Sequence, residues 1–159
     1  MLFELEQVSY SRGGEPVLRG LDARLPAGAS AVAGPSGSGK STLLRLLNRL
    51  ADPSPGRVLF EGEDVRARDV LALRRDVCLV PQLPALLEGT VADNVRFAAG
   101  CGGNGDEPDV ARLLGLAGLD PGFAARDAGR LSVGEQQRAM LARSLALEPR
   151  VLLLDEPTS

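Results

Sequence analysis

The segment GPSGSGKST, Gly34 to Thr42, constrains the fold of this chain more than any other stretch. It satisfies G-x-x-x-x-G-K-[ST] through Gly34, Gly39, Lys40 and Ser41. The short apolar run SAVAG precedes it and reads as a buried strand. STLLRLLNRL follows, with Leu43, Leu44, Leu46, Leu47 and Leu50 on one broad apolar face of a helix. Strand, glycine loop and helix in that order are the setting in which such a loop holds a phosphate. Glycines permit positive φ, so successive N–H groups converge on one anion, and the helix N-terminus adds partial positive charge. The expected anion is the β-phosphate of a nucleotide. Lys40 is the one lysine among 18 Lys and Arg residues. A compact ammonium on a flexible stem reaches between β- and γ-phosphates, where the planar fork of Arg fits a closed loop poorly. The hydroxyl of Ser41 suits Mg2+ and that of Thr42 an α-phosphate oxygen. Gly34, Pro35, Ser36, Gly37, Ser38, Gly39, Lys40, Ser41 and Thr42 are therefore the candidate nucleotide-binding residues.

Upstream, LFELEQVSY and PVLRGLDARLP alternate apolar and polar residues and predict an antiparallel opening. Downstream, ADPSPG closes the helix, VLFEGEDV reads as strand and turn, and DVLALRR as a short helix. VCLVPQ reads as a buried strand stopped by Pro81. TVADNVRFAAG and DVARLLGLAGL carry helical periodicity, interrupted by GCGGNGDEPD, a solvated connector by its composition. A last helix is expected from about Glu135 to Leu147. VLLLDEPTS then reads as a central parallel strand that delivers Asp155 and Glu156 at its carboxyl end. The pair divides into two roles: Asp155 holds Mg2+ through water, and Glu156 polarises the water that attacks a γ-phosphate.

Composition narrows the remaining choices. At 159 residues with 44% hydrophobic content, the chain is the size of one domain or part of one. A net charge of −3 without a basic block argues against nucleic acid as partner. No apolar run reaches the roughly 20 residues that cross a bilayer, and MLFELEQV lacks a basic stretch leading into an apolar core, so a cytosolic protein is expected. Cys78 and Cys101 have no metal spacing and read as reduced thiols. Histidine is absent, which removes His-based catalysis from these residues.

LSVGEQQR, Leu131 to Arg138, lies shortly before the Asp155 strand, and with it the whole chain resembles the ATP-binding-cassette (ABC) ATPase family, whose signature is written LSGGQ. The resemblance implies an α/β P-loop NTPase fold: an N-terminal antiparallel β part, a RecA-like parallel sheet and a helical signature subdomain. It divides the chain into residues 1–82, 83–147 and 148–159. It implies that Pro81-Gln82 is the family's Q-loop, with Gln82 at Mg2+ and the reacting water, and that Tyr10 stacks on adenine. Ser132 and Gly134 are implied to clasp the γ-phosphate of ATP held by a second subunit. By residue chemistry alone, each keeps a lesser alternative: Tyr10 as a half-buried strand aromatic and Gln82 as a plain exposed amide. Ser132-Val133-Gly134-Glu135 is also an S-x-x-E capping box, a reading compatible with the clasp. Val133 and Glu135 depart from the signature, so Val133 must avoid positive φ and Glu135 must point away from a phosphate or act as cap.

The implied function is an ATP-binding, ATP-hydrolysing subunit that powers a membrane transporter by nucleotide-dependent dimerisation. Its partners would be a transmembrane permease and a second ATPase subunit, identical or paired, at the cytoplasmic face of the membrane. PQLPALLEGTVADNVRF is similar to transporter ATPases where they meet the membrane subunit. Through FEGEDV and the same stretch there is a fainter likeness to small ATPases assigned to metal or iron export. An ABC ATPase of DNA repair or translation, and a nucleotide-binding module without hydrolysis, are the alternatives. The sequence ends inside what resembles the family's DEPTSALD segment, before the D-loop, one further strand and the switch histidine. It therefore reads as an incomplete chain with a gap in its sheet, loosely folded and inactive alone.

Overall fold

The computed structural model describes residues 1–102 and 107–156. The chain divides into two compact units, Met1–Val77 and Cys78–Ser159.

The first unit opens with β1 (Phe3–Arg12) and β2 (Glu15–Leu25), an antiparallel hairpin in which Arg12 faces Glu15. Gly13 and Gly14 make its two-residue turn with φ of 59° and 88°, the left-handed pair that suits the strand twist. β3 (Arg57–Phe60) lies antiparallel on the other side of β1, and β4 (Glu63–Asp64) completes the sheet order β2-β1-β3-β4. Phe3 faces Phe60 across this sheet with ring centroids 4.9 Å apart. α1 (Lys40–Leu47) packs against β3 and buries Leu43, Leu46 and Leu47. α2 (Val70–Asp76) is capped by Asp69, whose carboxylate accepts from the Ala72 N–H at 2.8 Å.

Two expectations fail in this unit. SAVAG forms no strand: residues 30–34 are exposed and join no ladder among the described residues, and a strand exists only where a neighbour takes its backbone groups. Leu50 is exposed because α1 stops at Leu47, with Asn48 as C-cap and Arg49 at φ 57°, which turns the following residues off the helix axis.

All but the first residue of β5 (Val77–Val80) belongs to the second unit; the strand is buried as expected and pairs with β6 (Val151–Leu154) in a two-stranded parallel sheet. Between them lie α3 (Val91–Gly102), α4 (Val110–Leu116), short 3-10 turns at Pro121–Ala125 and Ala128–Arg130, and α5 (Val133–Leu145). Val91, Val95, Leu113, Leu114, Leu131, Ala139 and Ala142 form the centre of its apolar core. α5 runs two residues ahead of the expected Glu135 to Leu147 at both ends, starting directly after the capping Ser132. Cys101 lies in the last turn of α3 and not in a loop, and residues 103–106 of the predicted connector lie outside the described residues. β6 is less enclosed than a central strand: Leu153 is buried while Leu154 is 42% exposed, since β5 is its only neighbour among the described residues.

Candidate functional site

The predicted phosphate loop lies in the first unit and joins directly to α1. Gly37 and Gly39 have φ of 79° and 91°, so the loop closes through left-handed backbone at two glycines. Lys40 folds back over the loop, donating from Nζ to the carbonyls of Gly34 at 3.0 Å and Pro35 at 2.9 Å. A side chain would be crowded at Gly34 and at Gly39. A Cβ on Gly34 would lie 2.7 Å from Ser38 Oγ, and one on Gly39 would lie 2.9 Å from Leu18 Cδ2 of β2.

The start of α1 differs from the other helix starts. Asp69, Asp109 and Ser132 cap α2, α4 and α5 with side-chain acceptors, and Thr90 with Asp93 does so at α3. α1 has no side-chain cap and no acidic residue in its first turn. The first turn of α1 thus carries no carboxylate of its own beside the helix end, where a like charge would oppose a phosphate. Ser36, Ser41 and Thr42 share this loop and first turn, with Ser41 and Thr42 half-buried. Tyr10 is the cross-strand partner of Leu18, the residue whose Cδ2 lies nearest to a Cβ built on Gly39.

The acidic residues lie in the second unit. β6 extends by one backbone bond beyond its last residue, from the Asp155 N–H to Val80 O at 3.0 Å, and holds Asp155 with 7% exposure. Glu156 follows with φ of 49°, a conformation seldom taken by a residue with a Cβ, and is exposed. The neighbouring residues Asp155 and Glu156 thus occupy different environments, one buried and one exposed. Gln82 Nε2 donates to Glu156 Oε2 at 2.8 Å, which joins two residues 74 positions apart in sequence.

The loop that carries Gln82 is fastened at several points. Gln137 Nε2 donates to Gln82 O at 3.2 Å, and Arg143 Nη1 donates to Ala85 O at 2.7 Å. Asn94, buried in α3, accepts from the Leu87 N–H at 2.8 Å and donates to Leu87 O at 3.0 Å. Sequence reasoning singled out none of these three fasteners. The place of Gln137 within LSVGEQQR was the one available signal.

At the start of α5 both halves of the predicted capping box form. Glu135 Oε2 accepts from the Ser132 N–H at 2.8 Å, and Ser132 Oγ accepts from the Glu135 N–H at 3.4 Å. Glu135 is thereby folded back as a cap, and the hydrogen bonds from Ser132 hold its carboxyl below the usual carboxylate range. Val133 avoids positive φ. A Cβ on Gly134 would meet nothing nearer than Arg138 Nη1 at 4.0 Å, so neither φ nor space within the chain requires glycine there. No helix among the described residues is long and apolar enough to cross a membrane.

Comparison with known proteins places these features in a family. The family model described as ABC transporter matches residues 18–159. Protein STAR1 of Oryza sativa subsp. japonica is 56% identical over 148 residues, which are 92% of this chain and 43% of that protein. The structure of cbiO1 from Clostridium perfringens, described as part of the ABC transporter complex cbiONQ, superimposes with a TM-score of 0.82 at 30% identity, over 99% of this chain and 66% of that one. The ATP-binding cassette MJ0796, in a dimeric post-hydrolysis state bound to ADP and Pi, gives a TM-score of 0.85 at 31% identity, over 98% of this chain and 74% of that one. The chain spans less than half the length of the curated relative and has the α/β P-loop NTPase fold of these neighbours. With the glycine loop at Gly34–Thr42, the capped LSVGEQQR helix and the family match over residues 18–159, this chain belongs to the ABC transporter family of ATP-binding-cassette ATPases.

Proposed function

We propose that the protein binds ATP with Mg2+ and hydrolyses it to drive a membrane transporter, working as a nucleotide-dependent dimer at the cytoplasmic face. The observation that carries this reading is Lys40 held over the carbonyls of Gly34 and Pro35 at the start of a helix without a side-chain cap. An ammonium held by two carbonyls at the mouth of converging N–H groups is ready to exchange them for phosphate oxygens. Gly34 to Thr42 cradle the phosphates, and Tyr10 offers its ring to the base. Ser41, Gln82 and Asp155 each offer an oxygen of the kind Mg2+ takes, and the charge of that ion would offset the charge developing on the phosphates. Glu156 takes the proton of the attacking water, and Gln82 orients the Glu156 carboxylate through its amide.

Ser132 and Gly134 receive the γ-phosphate from a second subunit. The space above Gly134 is open within the chain, which leaves room there for a group from a second subunit. MJ0796, a structural neighbour, is dimeric, and cbiO1 belongs to a transporter complex, which supports a second ATPase subunit and a permease as partners. Calorimetry in the protein's full natural chain tests the core of the reading. Wild type should bind MgATP and Lys40→Ala should not. Equal binding by both would remove the phosphate-loop assignment.

A further inference from the structure

We propose that Gln137 is a positioning residue for ATP turnover, coupling the start of α5 to the Gln82–Glu156 pair. The inference rests on the ATPase reading and adds a residue to it. Residues three apart on a helix form one ridge, so Gln137, Met140 and Arg143 stand in line along α5. Met140 is fully buried in the middle of this ridge and anchors it. The polar residues at its two ends reach two carbonyls of the loop after β5, three residues apart: Gln137 that of Gln82, Arg143 that of Ala85.

The carbonyl of Gln82 is thus fixed to α5 at 3.2 Å while its side-chain amide is fixed to Glu156 at 2.8 Å. One residue is held at both ends. The contact from Gln137 is a single hydrogen bond to a loop carbonyl, and removing the donor frees the loop at Gln82 while Arg143 and Asn94 still fasten Ala85 and Leu87. The amide of Gln82 then loses its register with Glu156. Ser132 and Gln137 belong to the first two turns of the same helix, so a displacement of the helix start is transmitted through Gln137 to the carboxylate.

The test is steady-state ATP hydrolysis by the full natural chain carrying Gln137→Leu or Gln137→Glu, each of which removes the donor at similar size. The expected result is a kcat lowered roughly three- to tenfold with KM for ATP and Tm unchanged. Gln137→Lys, which restores an N–H donor, should recover most of the loss. In a Gln82→Ala background, Gln137→Leu should have no further effect, because the residue it positions is gone. An unchanged kcat, a loss that follows Tm, or the same loss in the Gln82→Ala background would overturn the proposal. Wild-type turnover that Lys40→Ala does not remove would instead overturn the ATPase reading, and the role of Gln137 with it.

Discussion

The hydroxyl of Ser132 donates to the carboxylate of Glu135 at 2.6 Å, and the same oxygen of Glu135 accepts from the Ser132 backbone N–H at 2.8 Å. A hydroxyl has one proton. While Glu135 accepts it, Ser132 has no donor for a phosphate, and the carboxylate adds a like charge beside the place a phosphate would occupy.

Glu135→Gln should therefore strengthen the ATP-dependent dimer several-fold. The amide still completes the cap but accepts more weakly from Ser132 and carries no charge. Dimerisation followed by light scattering against ATP concentration checks this, and a weaker dimer would show that the carboxylate assists the clasp.

The same substitution has a pH signature. Glu135 is depressed from its ordinary 4.5 by its bonds from Ser132. A carboxylate with a lowered folded value contributes stability that is complete above the unfolded value and disappears as pH falls through the folded one. The advantage of wild type over Glu135→Gln in thermal melts should be present near neutrality and fade below about pH 4.5. A difference that persists unchanged in acid would assign the effect to packing.

Glu156→Gln should leave MgATP binding intact and slow hydrolysis by roughly 10²-fold or more, since a proton acceptor becomes an amide of the same shape. The variant should accumulate as an ATP-dependent dimer. Turnover near the wild-type rate would move the general base elsewhere.

Gly56 and Gly62 both have positive φ, 103° and 83°, yet only Gly56 lacks room. A Cβ there would lie 2.4 Å from Gln7 O and 2.6 Å from Val8 Cα, backbone atoms of β1 that cannot swing aside. Gly62→Ala meets nothing within 4 Å. Urea melts should show a loss of about 1–2 kcal/mol for Gly62→Ala, from backbone conformation alone. Gly56→Ala should lose about 3 kcal/mol or more because overpacking adds to that strain. Equal losses would show that β1 yields at Gln7.

Local chemistry made much of this protein legible from its residues. The glycine loop with its single lysine, the buried VCLV strand and the capping box at Ser132 each depend on residues within a few positions of one another. Their geometry follows from φ preferences and hydrogen bonds that the local sequence already contains. What the tertiary structure decided involves partners far apart in sequence or missing from a segment's surroundings. SAVAG has the composition of a buried strand, but a strand requires a neighbouring ladder, and none stands beside it among the described residues. Leu154 is as apolar as Leu153, yet burial depends on what covers each face of β6. Gln82 meets Glu156, and Gln137 meets the carbonyl of Gln82, because the pairing of β5 with β6 and the packing of α5 bring distant segments into register. No spacing rule along the chain encodes those contacts, since they depend on how whole elements are placed and not on the preferences of the residues within them.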